Sequence, residues 1–265
     1  MNIFLKELKS HRKSLIFWCI GVFLMVASGM MKYETYKSSG QSLEDMIKEL
    51  PKSLRAVLGF NDLDVTKASG YFGMLVIYLL LMATIHAAML GAAIIAKEER
   101  DKTSEFLFVK PVSRHTIITA KLLAAFVNIV IFNLVTFASS VMLLNQYSDG
   151  EDVTGNIAVN MAAMFILQVL FMVIGTALAA WKRRPKNAAS QAAGILLLTY
   201  VLSIAIDLNE KMENLKYLTP FKYFEAKNIM DGGGLDGVFV LISMVLIAVL
   251  TAVTYLCYRK RDLSA

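Results

Sequence analysis

Six uninterrupted apolar runs limit what this chain can fold into: Leu15–Met31, Tyr71–Ala96, Ile117–Leu144, Ile157–Trp181, Ala188–Ile206 and Val238–Tyr258. A helix crosses a bilayer with roughly 17–25 apolar residues, and it satisfies its backbone polar groups internally where there is no water to do so. A soluble globule of 265 residues, 57% of them hydrophobic and with a mean hydropathy of +0.57, has no means of hiding so much apolar surface inside itself. Lipid is therefore part of the solvent. The second and third runs are long enough to require tilt or bending. The expected fold class is an all-α membrane protein with six transmembrane helices, forming one domain over residues 1–265.

The charges orient the runs. More than half of the 27 Lys and Arg crowd four segments: the one before the first run, the second-to-third connection, the fourth-to-fifth connection and the chain end. By the positive-inside rule all four are cytoplasmic, which puts both termini on that side of a multi-pass cell-membrane protein. The third-to-fourth connection carries Asp149, Glu151 and Asp152 and no Lys or Arg, as an outer loop should. The net charge of +6 thus records topology. No aromatic-interleaved basic patch lies outside the membrane flanks, so nucleic acid is not an expected partner. Cys19 and Cys257 both fall within runs and read as buried reduced thiols, with no disulfide framework.

The connections are patterned. Residues 1–14 are cationic, with Phe4, Leu5 and Leu8 on one helical face, which predicts an amphipathic helix in the cytoplasmic interface. A cleaved signal peptide is disfavoured by the length of the apolar core and the lack of an A-x-A site. In the outer segment from Lys32 to Gly70, the residues Leu43, Met46, Ile47, Leu50, Leu54, Val57 and Leu58 recur at helical spacing after a Ser42 N-cap. This predicts an amphipathic hairpin or kinked helix interrupted near Pro51. Between Asp207 and Gly237 the aromatic and apolar spacing, broken at Pro220, predicts re-entrant or interfacial outer helices.

Polar residues inside the runs are few. His86 lies among Ala83, Thr84, Ala87, Ala88, Gly91, Ala92 and Ala93, small residues that let this helix pack closely on another. A buried histidine there has two readings: a proton relay or substrate contact, or a neutral imidazole satisfied by one hydrogen bond, the cheaper of the two. In the third run Lys121, Asn128 and Ser139 share a face, with Thr136 to one side. That face avoids lipid. Either it lines a translocation path with His86, or it makes interhelical hydrogen bonds, and Gln168 in the fourth run has the same two readings.

The charge-dense interruption at residues 97–116 opens on Glu98, Glu99 and Arg100 and carries the apolar stripe Phe106, Leu107, Val109. Pro111 stops a helix there, and Ser113 can cap the next by accepting from the amide of His115 or Thr116. The string ERDKTSEFL (99–107) followed by KPVSR (110–114) resembles the E-x-x-x-(G/K)-T-x-(E/D)-x-L…P-(V/I)-S-R signature of permease subunits of type-2 ATP-binding-cassette exporters. It departs from it by Lys102, where glycine is common. Two further elements are similar to that family: the segment from Glu49 to Gly59 after the first span, and Leu218-Thr219-Pro220-Phe221-Lys222-Tyr223-Phe224 before the last.

The resemblance implies that residues 97–116 form a cytoplasmic coupling helix between spans two and three. It would dock on an ATPase subunit through Glu98, Glu99, Arg100, Thr103, Glu105, Phe106, Leu107, Pro111 and Arg114. It implies two copies of that ATPase and a second permease protomer, as homodimer or heterodimer, within membrane lipid. The implied cargo is lipophilic or amphipathic, such as a drug or an antimicrobial peptide. The chain contains no G-x-x-x-x-G-K-(S/T), so ATP and Mg are expected on the partner and no cofactor in this chain. Two other readings stay open. Glu98 and Glu99 are similar to the E-E-x-x-x-R pair of an intramembrane protease, although Thr103 stands where its arginine belongs. A permease-like subunit with a regulatory role is the other.

Overall fold

The computed structural model describes residues 3–38, 47, 49–60, 64–100, 112–148, 153–182, 187–230 and 232–260. Six helices are long and apolar enough to cross a membrane: α1 (Ile3–Ser38), α3 (Ala68–Arg100), α4 (Arg114–Leu144), α5 (Thr154–Trp181), α6 (Ala188–Leu208) and α8 (Gly237–Arg259). Short helices α2 (Lys52–Leu58) and α7 (Ala226–Met230) and two 3₁₀ segments, Glu210–Leu218 and Pro220–Lys222, fill the connections. No strand occurs among the described residues.

Burial separates the six into a core pair and a periphery. Within the most apolar windows of α3 and α5, 72% and 61% of residues are buried, against 17% in α8. The α3–α5 seam is built from small residues, and two glycines close it reciprocally. A Cβ at Gly91 would lie 2.1 Å from the Met172 carbonyl oxygen, and one at Gly175 would lie 2.3 Å from that of Ala88. Helices in lipid have little hydrophobic drive to associate, so close backbone approach and the dispersion it allows hold such a pair together. Around this core α1 lays Val22, Val26, Met30 and Tyr33 inward, while Phe17, Leu24 and Met31 stay exposed on its other faces. Exposed apolar faces of this kind are what a lipid-facing helix presents.

The first helix differs from the expectation. Residues 1–14 are not a separate interfacial helix, because α1 runs unbroken from Ile3 to Ser38. No Pro or Gly interrupts residues 3–20, and Glu7 is buried at the helix start, which fixes these turns to the bundle. The other spans begin and end within a few residues of their apolar runs. Pro51 stands immediately before α2, and Gly59, in left-handed conformation at φ 76°, closes it. The Ser42 cap lies outside the described residues, as do Asp149, Glu151 and Asp152. Both cysteines are free and half-buried rather than fully buried.

Ser113 caps α4 by accepting from the Thr116 amide at 3.1 Å. Ser113→Ala should lower stability by about 1 kcal/mol, the usual worth of a cap, read as a small shift in thermal unfolding of the purified chain.

Between α6 and α8 the chain is pinned. The buried Thr219 hydroxyl donates to the Thr199 carbonyl (2.7 Å), Tyr223 donates to the Tyr217 carbonyl (2.6 Å), and the Tyr223 ring stacks on Phe239 at 4.9 Å. Lys222 donates to both Asp207 and Glu225. Burial pulls the Lys222 ammonium down, but these two carboxylates outweigh it and hold the group above the ordinary lysine range.

Candidate functional site

Contacts bring the start of α1, the end of α3, the start of α4 and the end of α8 to one end of the bundle. Here the 97–116 segment leaves α3 and re-enters α4. Lys121 lies one face inward on α4, in the buried stripe with Ile117, Ile118, Ala124 and Ala125, and has no exposed surface. A buried ammonium is tolerable only if it is paired and hydrogen-bonded. Lys121 Nζ donates to Glu98 Oε2 at 2.7 Å and to the Ile94 carbonyl at 2.5 Å, both on α3.

The second carboxylate comes from α1. Glu7, 2% exposed, takes a hydrogen bond from Lys97 Nζ at 3.1 Å and has Lys121 Nζ at 3.9 Å. His11, one turn on, places Nε2 at 3.9 Å from Glu7. Charges therefore alternate Lys97, Glu7, Lys121, Glu98 across three helices, two acids against two bases. The circuit closes on α3, which supplies both Lys97 and Glu98.

A second clasp joins α4 to α8. Arg114 donates to the Arg259 carbonyl at 2.8 Å, Thr119 and Tyr255 share a hydrogen bond at 2.8 Å, and His115 stacks on the Tyr255 ring. Both roots of the 97–116 segment are thus tied into the bundle. Glu98 is engaged inside the chain. Glu99 is half-buried and Arg100 exposed, and each has a partner. Thr103, Glu105, Phe106, Leu107 and Pro111, and the expected coupling helix over 101–109, lie outside the described residues, as do Arg183, Arg184 and Lys186 of the fourth-to-fifth turn.

The residues read as a possible path are buried but are occupied within their own helix. Asn128 donates to the Ala124 carbonyl (2.7 Å), Thr136 to Phe132 (2.8 Å) and Ser139 to Val135 (2.7 Å). These bonds therefore do not bridge helices. The interhelical bond comes instead from Asn133, which donates to Gln168 Oε1 at 3.2 Å and to the Met161 carbonyl at 3.1 Å on α5. His86 is held by rings: Trp18 of α1 at 5.3 Å and Phe132 of α4 at 5.0 Å between centroids. Its Nδ1 has no hydrogen-bond partner, so the single satisfying bond expected there is absent at that nitrogen.

Glu98 is paired with the Lys121 ammonium, and no group of three or more His, Cys, Asp and Glu suited to a metal occurs among the described residues.

A family model described as "ABC-2 family transporter protein" matches residues 1–263. No curated protein matches the chain. Six apolar helices around a small-residue core pair, with a family match over nearly the whole length, identify the chain as a member of the ABC-2 transporter family, a multi-pass permease subunit of a type-2 ABC transporter.

Proposed function

We propose that the chain is one half of the membrane path of an exporter, driven by ATP hydrolysis on a separate subunit. The termini and the 97–116 segment face the cytoplasm, as the clustering of Lys and Arg supports. Two ATPase copies, carrying ATP and Mg, dock on two permease protomers. The coupling contact is made by Glu99, Arg100 and the 101–109 stretch, with Phe106 and Leu107 as the apolar anchor in the ATPase groove. Cargo is lipophilic or amphipathic.

One observation carries the mechanism: the alternating cluster of Lys97, Glu7, Lys121 and Glu98. It ties both roots of the coupling segment to α1. Closure of the ATPases moves the segment, and α1, α3 and α4 follow together because separating them would strand buried charges. The close-packed α3–α5 seam passes the motion to the remaining spans without local give. In this reading Glu98 acts within the permease and not on the ATPase.

The test is a double variant, Glu99→Lys with Phe106→Ala, in the reconstituted complex. Removing an apolar interface anchor and reversing a rim charge should lower cargo-stimulated ATPase and transport by about tenfold or more, while the permease keeps its thermal stability. Coupling equal to that of the unaltered complex would refute this docking contact.

A further inference from the structure

At the end of the bundle away from the charge cluster, α2, α3, α6 and the 210–230 connection enclose a cleft of about 330 Å³. Val76, Ile77 and Leu80 of α3, Ile204 of α6 and Phe221 give it apolar lining, and Asn160, Tyr200, Ser203 and the triad Asp207, Lys222 and Glu225 give it polar lining. The triad also lines a second cleft of about 830 Å³ beside Lys216, Asn228 and Asp236. It therefore stands between the two clefts.

One ammonium serves both carboxylates of the triad, and it is the most enclosed member, its side chain 12% exposed against 27% for Asp207 and 39% for Glu225. Lys227 also lines the first cleft and is itself engaged with a partner. A volume of this size suits a small organic molecule, and apolar walls with a few polar groups at one end are what fix such a ligand's orientation.

We propose that this cleft binds an amphiphilic primary amine, whose apolar body lies along Ile77, Leu80 and Ile204 and whose ammonium takes the place of Lys222 between Asp207 and Glu225. This deepens the exporter reading and rests on it for the purpose of the site, a cargo station at the far end of the path; the binding itself requires no ATPase. The arriving ammonium must displace that of Lys222 from the two carboxylates, so Lys222 acts as a resident competitor. Removing it should tighten binding.

The experiment uses the full chain in phosphatidylcholine nanodiscs, without nucleotide or ATPase, titrated with dansylcadaverine against empty nanodiscs. The expected result is a saturable rise in fluorescence. N-acetyl dansylcadaverine, which has the same body and no charge, should bind about tenfold or more weaker, as the loss of a charge-assisted hydrogen bond predicts. Lys222→Met should bind the amine tighter and its acetylated form no tighter, a selectivity that exposed apolar surface in a misfolded chain would not give, and Asp207→Asn with Glu225→Gln should bind the amine weaker. Equal binding of the amine and its acetylated form to the unaltered chain would overturn the proposal without touching the exporter reading. Conversely, a chain that binds the amine yet never meets an ATPase would leave the site standing and remove its purpose.

Discussion

Lys121→Met should destabilise the chain severely, by roughly 3–5 kcal/mol, because it strands a buried carboxylate rather than merely deleting an attraction. The side chain is completely buried, Glu7 is nearly so and Glu98 is only 15% exposed, so neither carboxylate is fully hydrated in its place. Methionine fills much of the same volume, so the loss reports charge rather than a cavity. Adding Glu98→Gln to Lys121→Met leaves Lys97 paired with Glu7 and should restore more than half of the lost stability, which a packing defect at position 121 would not allow. Lys216→Met is the control: its partner Glu213 is 71% exposed, and such pairs are worth at most about 1 kcal/mol. Thermal unfolding in detergent, followed by size-exclusion of the surviving fraction, reads all three. Equal stability of Lys121→Met and the unaltered chain would mean that the cluster does not hold α1, α3 and α4 together.

Gly91→Val and Gly175→Val should each spread the α3–α5 seam. The first added carbon alone would sit 2.1 Å and 2.3 Å from backbone oxygens of the facing helix, and backbone cannot rotate aside as a side chain can. Overpacking of a tight core costs about 1–3 kcal/mol and occasionally more, and a rigid seam belongs at the upper end. The two sites share one crossing, so the double variant should cost less than the sum of the singles. Gly194→Ala on α6 is the contrast: nothing lies within 4 Å of its added carbon, and the change should be neutral or stabilising by roughly 0.5–1 kcal/mol. Folded yield and thermal unfolding distinguish the two classes. A Gly175→Val chain as stable as Gly194→Ala would contradict the packing of this pair.

These two sites show what the residues disclose unaided. The spans are legible because a lipid-crossing helix must be apolar over its whole length, a requirement that few other structures impose. The Ser113 cap is legible because capping is local, a matter of three residues and a proline before them. The small-residue face of α3 announces a close contact, yet which helix meets it depends on Gly175, the one glycine of the run Ile157–Trp181, which hydropathy treats as neutral. Lys121 is legible as a residue turned from lipid. Its partners are not, since Glu98 belongs to a charged string that reads as surface, and Glu7 is a single acid in a cationic stretch that reads as an interfacial helix. Asn133 was missed because it lies off the stripe of Lys121, Asn128 and Ser139, although an amide in mid-span is itself a signal that a partner helix is near. Long-range pairings of this kind are set by packing, which no local pattern records.

The central claim, that the 97–116 segment is where an ATPase drives this permease, is tested most directly by a photo-crosslinking amino acid at position 106, illuminated in intact cells. The account predicts an adduct with a P-loop ATPase at 106 and none with the same amino acid at position 149, on the opposite side of the membrane. A well-folded chain that gives no ATPase adduct at 106, or gives one only at 149, would contradict it.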